Sequence, residues 1–370
     1  MRIGKKIGLL GCCLAISLTA FAQAGSTAFA FLNLPVSARI NALGGTNVSL
    51  SEGEVASAMY NPALLSDSTD KIVQMSYSFF GAGQHFGSVL YGHNFGPSAI
   101  EPAQEGKPNL FAVGLHYLNY GKFAYADEYG NLTGGQFTAQ DIIIDVMYAR
   151  QLGPMFRVGV ALKPVYSVYD VYSSFALGAD VGGHFALPEK GLQVGLSLQN
   201  IGWQLKGFYS NEGGESTLEM LPLNLQLGLS YKLPHAPIRF SFTAHNLQRW
   251  NLNYQTANIG TKRGDERVTY SSETNAKWYD MLFRHTIWAV DIVPKSNKFW
   301  LTLSYNHRRR MELNLVDVSA NVEQKSLAGF AAGLGFNVKG VKIGVAASQY
   351  TKSNYTFQLS LSLDVNQLMK

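Results

Sequence analysis

Residues 222–233, PLNLQLGLSYKL, put Leu223, Leu225, Leu227, Leu229, Tyr231 and Leu233 on one face of an extended chain. Asn224, Gln226, Gly228, Ser230 and Lys232 fall on the other. This period of two recurs in GLQVGLSLQN (191–200), FWLTLSYN (299–306), GFAAGLGFNV (329–338) and YTFQLSLSLDV (355–365). A helix cannot present that pattern as one apolar face, so the chain is committed to strands. No run after residue 23 reaches the ~18 consecutive apolar residues of a membrane-spanning helix.

The remaining sequence divides into fourteen strands, near 70–80, 86–95, 109–120, 137–151, 155–169, 172–187, 191–202, 221–233, 236–248, 284–294, 298–306, 327–338, 340–350 and 354–365. Several exceed the usual soluble strand and suit a tilted membrane crossing. Even-to-odd joins are short and rich in turn residues, as in QLGPM (151–155), PEKG (188–191), PHAP (234–237) and VKGV (338–341). Odd-to-even joins include every very long one: 121–136, 203–220, 249–283 and 307–326. Short turns at one end and long loops at the other are the plan of an outer-membrane barrel. The 13-residue join 96–108 is the exception to this parity.

A soluble barrel also alternates, but its polar face meets water and carries many charges. Here only 15% of residues are charged, and the polar phase of the strands is mostly Gly, Ser, Thr, Asn and Gln. That suits a wetted or plugged lumen with the Leu, Val and Phe face against lipid. The 19 tyrosines and 21 phenylalanines suffice for two interfacial girdles. The expected fold is all-β: a transmembrane antiparallel barrel of about fourteen strands, residues 70–370.

Two segments precede it. Residues 1–23 read as a signal peptide, with Arg2, Lys5 and Lys6 before the apolar run Ile7 to Thr19 and Ala20-Phe21-Ala22 behind it. Its removal takes three of 30 basic residues and both cysteines, Cys12 and Cys13, leaving 27 cations against 25 anions. A near-neutral, cysteine-free chain gives no reason to expect nucleic acid, a disulfide or a thiolate-bound metal. Residues 24–69 do not alternate. Gly44-Gly45 permits a sharp turn, Glu54 to Met59 is a short helical stretch, and Asn61-Pro62 caps and starts another at Ala63-Leu64-Leu65. A barrel of this strand number has a lumen that its own side chains do not fill, so a small-residue plug is expected there.

The remaining candidates carry two readings each. Arg308, Arg309 and Arg310 offer guanidinium forks to lipopolysaccharide phosphates, or simply form a basic rim. The loop 249–283 ends in Trp278, Tyr279 and Phe283, residue types of protein interfaces or of a loop folded over the rim. His116, Asp180, His184, Arg239 and His245 fall on the polar phase of their strands. They line a passage or hold the plug. Pro164, inside the fifth strand, is a candidate kink. No metal, phosphate-loop, nucleotide or nucleophile-elbow motif is present, so neither enzyme activity nor a cofactor is expected.

FLNLPVSARINALGGTNVSL followed by ASAMYNPALL, ahead of some fourteen strands, resembles the FadL-like PorV/PorQ barrels of Bacteroidetes type IX secretion. The specific motifs lie in 31–65, and the rest matches by architecture. The resemblance implies a non-enzymatic outer-membrane barrel whose external loops anchor a PorZ-like surface protein, in a complex with PorU and PorV that works beside lipopolysaccharide. The competing expectation is a FadL-type transporter of hydrophobic small molecules.

Overall fold

The computed structural model describes residues 28–81, 83–95, 108–208, 218–252, 255–262, 265–272, 276–294, 296–313, 316–317, 322–323, 327–350 and 355–369. The signal segment 1–23 and most of the join 96–108 lie outside these residues.

Fourteen antiparallel strands close on themselves. They are β1 Ile72–Gly81, β2 Gln84–Asn94, β3 Asn109–Ala126, β4 Leu132–Gln151, β5 Phe156–Tyr169, β6 Tyr172–Leu187 and β7 Leu192–Lys206, followed by β8 Asn224–Lys232, β9 Ile238–Ala244, β10 Thr286–Ile292, β11 Phe299–Asn306, β12 Phe330–Val338, β13 Val341–Gln349 and β14 Tyr355–Asp364. Each pairs with its sequence neighbours, and β1 pairs with β14 from Ile72↔Asp364 to Phe79↔Phe357, so no edge is left open to lipid.

Burial is inverted relative to a soluble protein. On β8, Leu227 and Leu229 are 42% and 43% exposed, whereas Gln226 and Ser230 are 1% exposed. The outer face is an apolar band, and polar side chains face the lumen. Rings gather at both ends of that band. Phe95, Phe111 and Tyr148 form a chain at 5.2 and 4.8 Å near the short turns, and Tyr305 meets Phe330 at 4.9 Å near the long loops. These are interfacial girdles.

Three loop expectations need correction. Residues 121–126 and 132–136 continue β3 and β4 as a projecting ladder, past a bulge between Asn119 and Lys122. The loop 249–283 contains a hairpin, Gln255–Lys262 with Asp265–Ser272, and helix α2 Trp278–Arg284. The loop after β11 begins with helix α3 His307–Leu313. Loop chemistry alone does not show these elements, because their backbone hydrogen bonds are made locally and in tertiary contact, without an apolar periodicity.

The plug lies inside the barrel. Helix α1 Ala38–Ala42 packs on β12 and β13, while the turns Val55–Met59 and Pro62–Leu64 pack on β1–β2 and on β4–β6. It therefore touches walls on several sides. The chain end Val365–Leu368 forms helix α4.

Candidate functional site

The plug is built of short turns, which leave backbone groups without helical partners. The lumen wall supplies those partners. The Ala38 amide donates to Ser360 Oγ at 2.7 Å, and the Ala56 amide to Gln74 Oε1 at 2.9 Å. Gln358 Nε2 donates to the Pro35 carbonyl at 3.0 Å, Arg157 Nη1 to the Ala63 carbonyl at 3.1 Å, and His184 Nε2 lies 2.9 Å from the Ser49 carbonyl. Asn61 links both sides: its Oδ1 accepts from the Ala63 amide, and its Nδ2 donates to Val48 at 2.8 Å and Gly183 at 3.0 Å. Pro62 follows as the first residue of the turn, and Leu64 is buried.

Close approach is possible because the wall carries glycine where the plug lies. A Cβ at Gly195 would fall 1.7 Å from the Val48 carbonyl oxygen, and one at Gly182 would fall 1.9 Å from Asn61 Oδ1. On the plug, Gly44 and Gly45 have φ of +94° and +102°, which glycine adopts without the Cβ strain of other residues.

Arg39 of α1 reaches the wall. Its Nη1 and Nη2 each lie 3.0 Å from an oxygen of Asp291 on β10, and its Nε donates to Glu52 Oε2 at 3.0 Å. Arg239 of β9 completes the square, with Nη2 2.7 Å from Asp291 Oδ2 and a further pair to Glu52. Thr302 Oγ1 donates to Asp291, and the Arg39 guanidinium lies 4.7 Å from the Trp300 ring. Two arginines thus face two carboxylates and the charges balance; Arg39, Arg239 and Asp291 are almost fully buried, while Glu52 keeps partial exposure. Sequence reasoning named Arg239 but missed Arg39, Glu52 and Asp291. Asp291 was findable, since it lies on the inward phase of its strand.

A second buried cluster joins β3 to β6. Lys163 Nζ lies 2.6 Å from Asp180 Oδ2 and 3.9 Å from Asp145 Oδ1, with His116 Nε2 3.2 Å from Asp145 Oδ2. Lys163 also donates to the Met59 carbonyl of the plug at 3.3 Å, and the Asn200 amide donates to Asp180 at 2.8 Å. Beside it, Pro164 interrupts the β4–β5 ladder, which pairs Ile143↔Val165 and Val146↔Leu162 and skips the residues between. The register is the same on both sides, and β5–β6 runs unbroken through Pro164↔Leu177. Proline removes a ladder bond here without shifting the strands.

The long-loop end carries the other expected residues. Trp278, Tyr279 and Phe283 lie on α2 and are 71%, 45% and 49% exposed. Asp280 ties α2 to α3: its Oδ2 accepts from Arg284 Nε at 2.7 Å, and its Oδ1 lies 2.8 Å from His307 Nε2. Burial works against ionisation of Asp280, but the His307 hydrogen bond and the Arg284 charge hold its carboxyl below the usual range. The arginine run does not form a single outward rim. Arg308 and Arg309 line a cavity of about 540 Å³ between α3 and the plug, together with Gly44, Gly45 and His245. Arg310 does not line it, and instead packs beside the Gly329 backbone.

No family model matches the chain, and no curated protein matches it. Among solved structures, the TodX deltaS2S3 mutant monoaromatic hydrocarbon channel is similar over 88% of this chain and 96% of its own, at TM-score 0.50 and 11% identity. A Pseudomonas aeruginosa FadL homologue aligns at TM-score 0.45 and 10% identity, over 89% and 98% of the two chains. The KdgM porin aligns at TM-score 0.30 and 7% identity, over 79% and 98%. The TodX likeness is one of fold: a closed antiparallel β-barrel.

Proposed function

We propose that this chain is a non-enzymatic, plugged outer-membrane barrel whose long-loop face is external and anchors a PorZ-like surface protein of a type IX attachment complex. The supporting observation is the filled lumen. Residues 28–69 satisfy their backbone on wall side chains and are fixed to β9 and β10 by the Arg39–Glu52–Asp291–Arg239 square. A barrel so filled serves as a scaffold, and its exposed chemistry lies on the loops. Trp278, Tyr279 and Phe283 on α2 are the aromatic anchors a partner would cover, and α2 is held in place through Asp280 and His307. The partner's identity rests on the resemblance of residues 31–65, with PorU and PorV implied in the same way and lipopolysaccharide as the surrounding lipid.

A second reading, FadL-type transport of hydrophobic small molecules, draws on the cavity of about 540 Å³ above the plug and on the fold shared with TodX. Affinity purification of the full-length chain from detergent-solubilised outer membrane separates the two. The display reading expects a surface protein of the attachment complex to co-purify, identified by mass spectrometry. Combined alanine substitution of Trp278, Tyr279 and Phe283 should reduce its recovery at least ~10-fold, since buried aromatic anchors are worth ~2 kcal/mol or more each. Purification of the chain alone with a bound hydrophobic molecule would instead establish the transport reading.

A further inference from the structure

The cavity between α3 and the plug has a chemistry that neither anchoring nor passage of hydrophobic molecules requires. We propose that it binds a small hydroxylated anion, of the size of a sugar phosphate or sugar acid, through Arg309 and His245.

The charge comes first. Arg308 pairs with Glu312, its Nε lying 2.8 Å from Glu312 Oε1. Arg309 has no carboxylate within ion-pair distance among the described residues. Its guanidinium lies 3.4 Å from the centre of the Tyr350 ring, which fixes the plane of the fork over the cavity. The lining therefore carries one excess positive charge, in the form that meets a carboxylate or phosphate bidentately.

An unused donor comes second. His245 is 4% exposed and lines the cavity. Asn246 Nδ2 lies 2.7 Å from its Nδ1, so Nδ1 accepts and the proton sits on Nε2. That Nε2 is buried without a hydrogen-bond partner. A buried donor left unmade is costly, and an anionic oxygen would satisfy it.

The rest of the lining selects the body of the ligand. Asn33, Gln199, Asn224, Gln226, Asn246 and Asn306 all contribute to it. Several are already oriented: Thr46 Oγ1 donates to Gln226 at 2.8 Å, Gln226 Nε2 to Gln199 at 2.9 Å, and Asn306 Nδ2 to the Gly44 carbonyl at 3.1 Å. A carboxamide has two donors and a two-lone-pair acceptor, so these fixed groups keep capacity for hydroxyls. Leu32, Leu34, Met59 and Ile287 give a limited apolar side rather than the continuous apolar wall of a long acyl chain. A volume near 540 Å³ falls within the roughly 300–1,000 Å³ of small-molecule sites. Ala30 and Asn33 are exposed, so a solute enters from the long-loop face.

Isothermal titration calorimetry on the full-length protein in detergent tests the assignment, with glucose 6-phosphate and glucuronate as probes. Inorganic phosphate, glucose and decanoate complete the series. Saturable binding of one or both sugar anions is expected, weakened at least tenfold by Arg309→Gln and by His245→Phe. Arg310→Gln, on the same helix but outside the cavity, should leave it unchanged. Heat-modifiable migration in gels verifies that each variant remains a folded barrel. The assignment is overturned if neither sugar anion binds, or if Arg309→Gln binds them as tightly as the unsubstituted chain. Equal binding of inorganic phosphate overturns the hydroxylated body, and tighter binding of decanoate overturns the ligand class.

Discussion

Arg39→Ala is expected to weaken plug docking by about 3–5 kcal/mol, the usual cost of removing one partner from a buried ion pair. The square would then hold Arg239 against both Glu52 and Asp291, leaving one uncompensated negative charge among buried groups. The change corresponds to a fall of two to three orders of magnitude or more in the equilibrium favouring the docked plug, at ~1.4 kcal/mol per tenfold. Limited proteolysis of residues 28–69 in the intact barrel measures it: the plug should become cleavable while the strands stay protected. Adding Asp291→Asn restores the charge balance with Arg239 and Glu52, so the double variant should recover part of the protection. Equal protection of Arg39→Ala and the unsubstituted chain would show that the square does not hold the plug.

Gly195→Val is expected to act from the other side of the same interface. The Cβ alone would lie 1.7 Å from the Val48 carbonyl oxygen and 2.5 Å from its carbon, with Ser49 Cα at 3.0 Å. These are backbone atoms, so no rotamer change relieves the clash, and either the plug or β7 must move. Overpacking in a tight interior costs about 1–3 kcal/mol, and a clash with main chain lies at or above the upper end. β7 is held by backbone ladders to β6 and β8, whereas the plug around Val48 is held by single side-chain bonds: Asn61 to the Val48 carbonyl, His184 to the Ser49 carbonyl and Ser49 to Ser230. Expulsion of this part of the plug is therefore the expected relief. Gly87→Val is the control, since a Cβ at Gly87 meets nothing within 4 Å. Loss of plug protection in Gly195→Val but not in Gly87→Val is the expected pattern. Identical behaviour of the two would mean that the plug does not press on this wall.

The barrel was legible because lipid imposes one requirement on every strand. Outward positions must be apolar, and inward ones are free to be small or polar, so period two survives along the whole chain. The reading of 155–169 and the observed Phe156–Tyr169 differ by one residue. Loops carry no such constraint, which is why α3 went unseen: HRRRMEL has no apolar stripe, and its position depends on Arg308–Glu312, His307–Asp280 and the cavity below. Pairings between segments were also beyond reach. Arg39 and Asp291 are separated by 252 residues, and only the closed barrel brings α1 to β10. Inward glycines such as Gly182 and Gly195 were visible as small residues, but their purpose needed the plug's path. The polar phase that held His116, Asp180, His184, Arg239 and His245 gave their direction. It gave no hint that Lys163 bridges Asp180 and Asp145, or that His184 meets a plug carbonyl.

Closure of the lumen by residues 28–69 is read directly by planar-bilayer conductance. The full chain, reconstituted at neutral pH, is expected to show no steady ion conductance, and the same chain lacking 28–69 is expected to show a stable open level. A steady open level from the full chain, unchanged by that deletion, would show that these residues do not close the lumen.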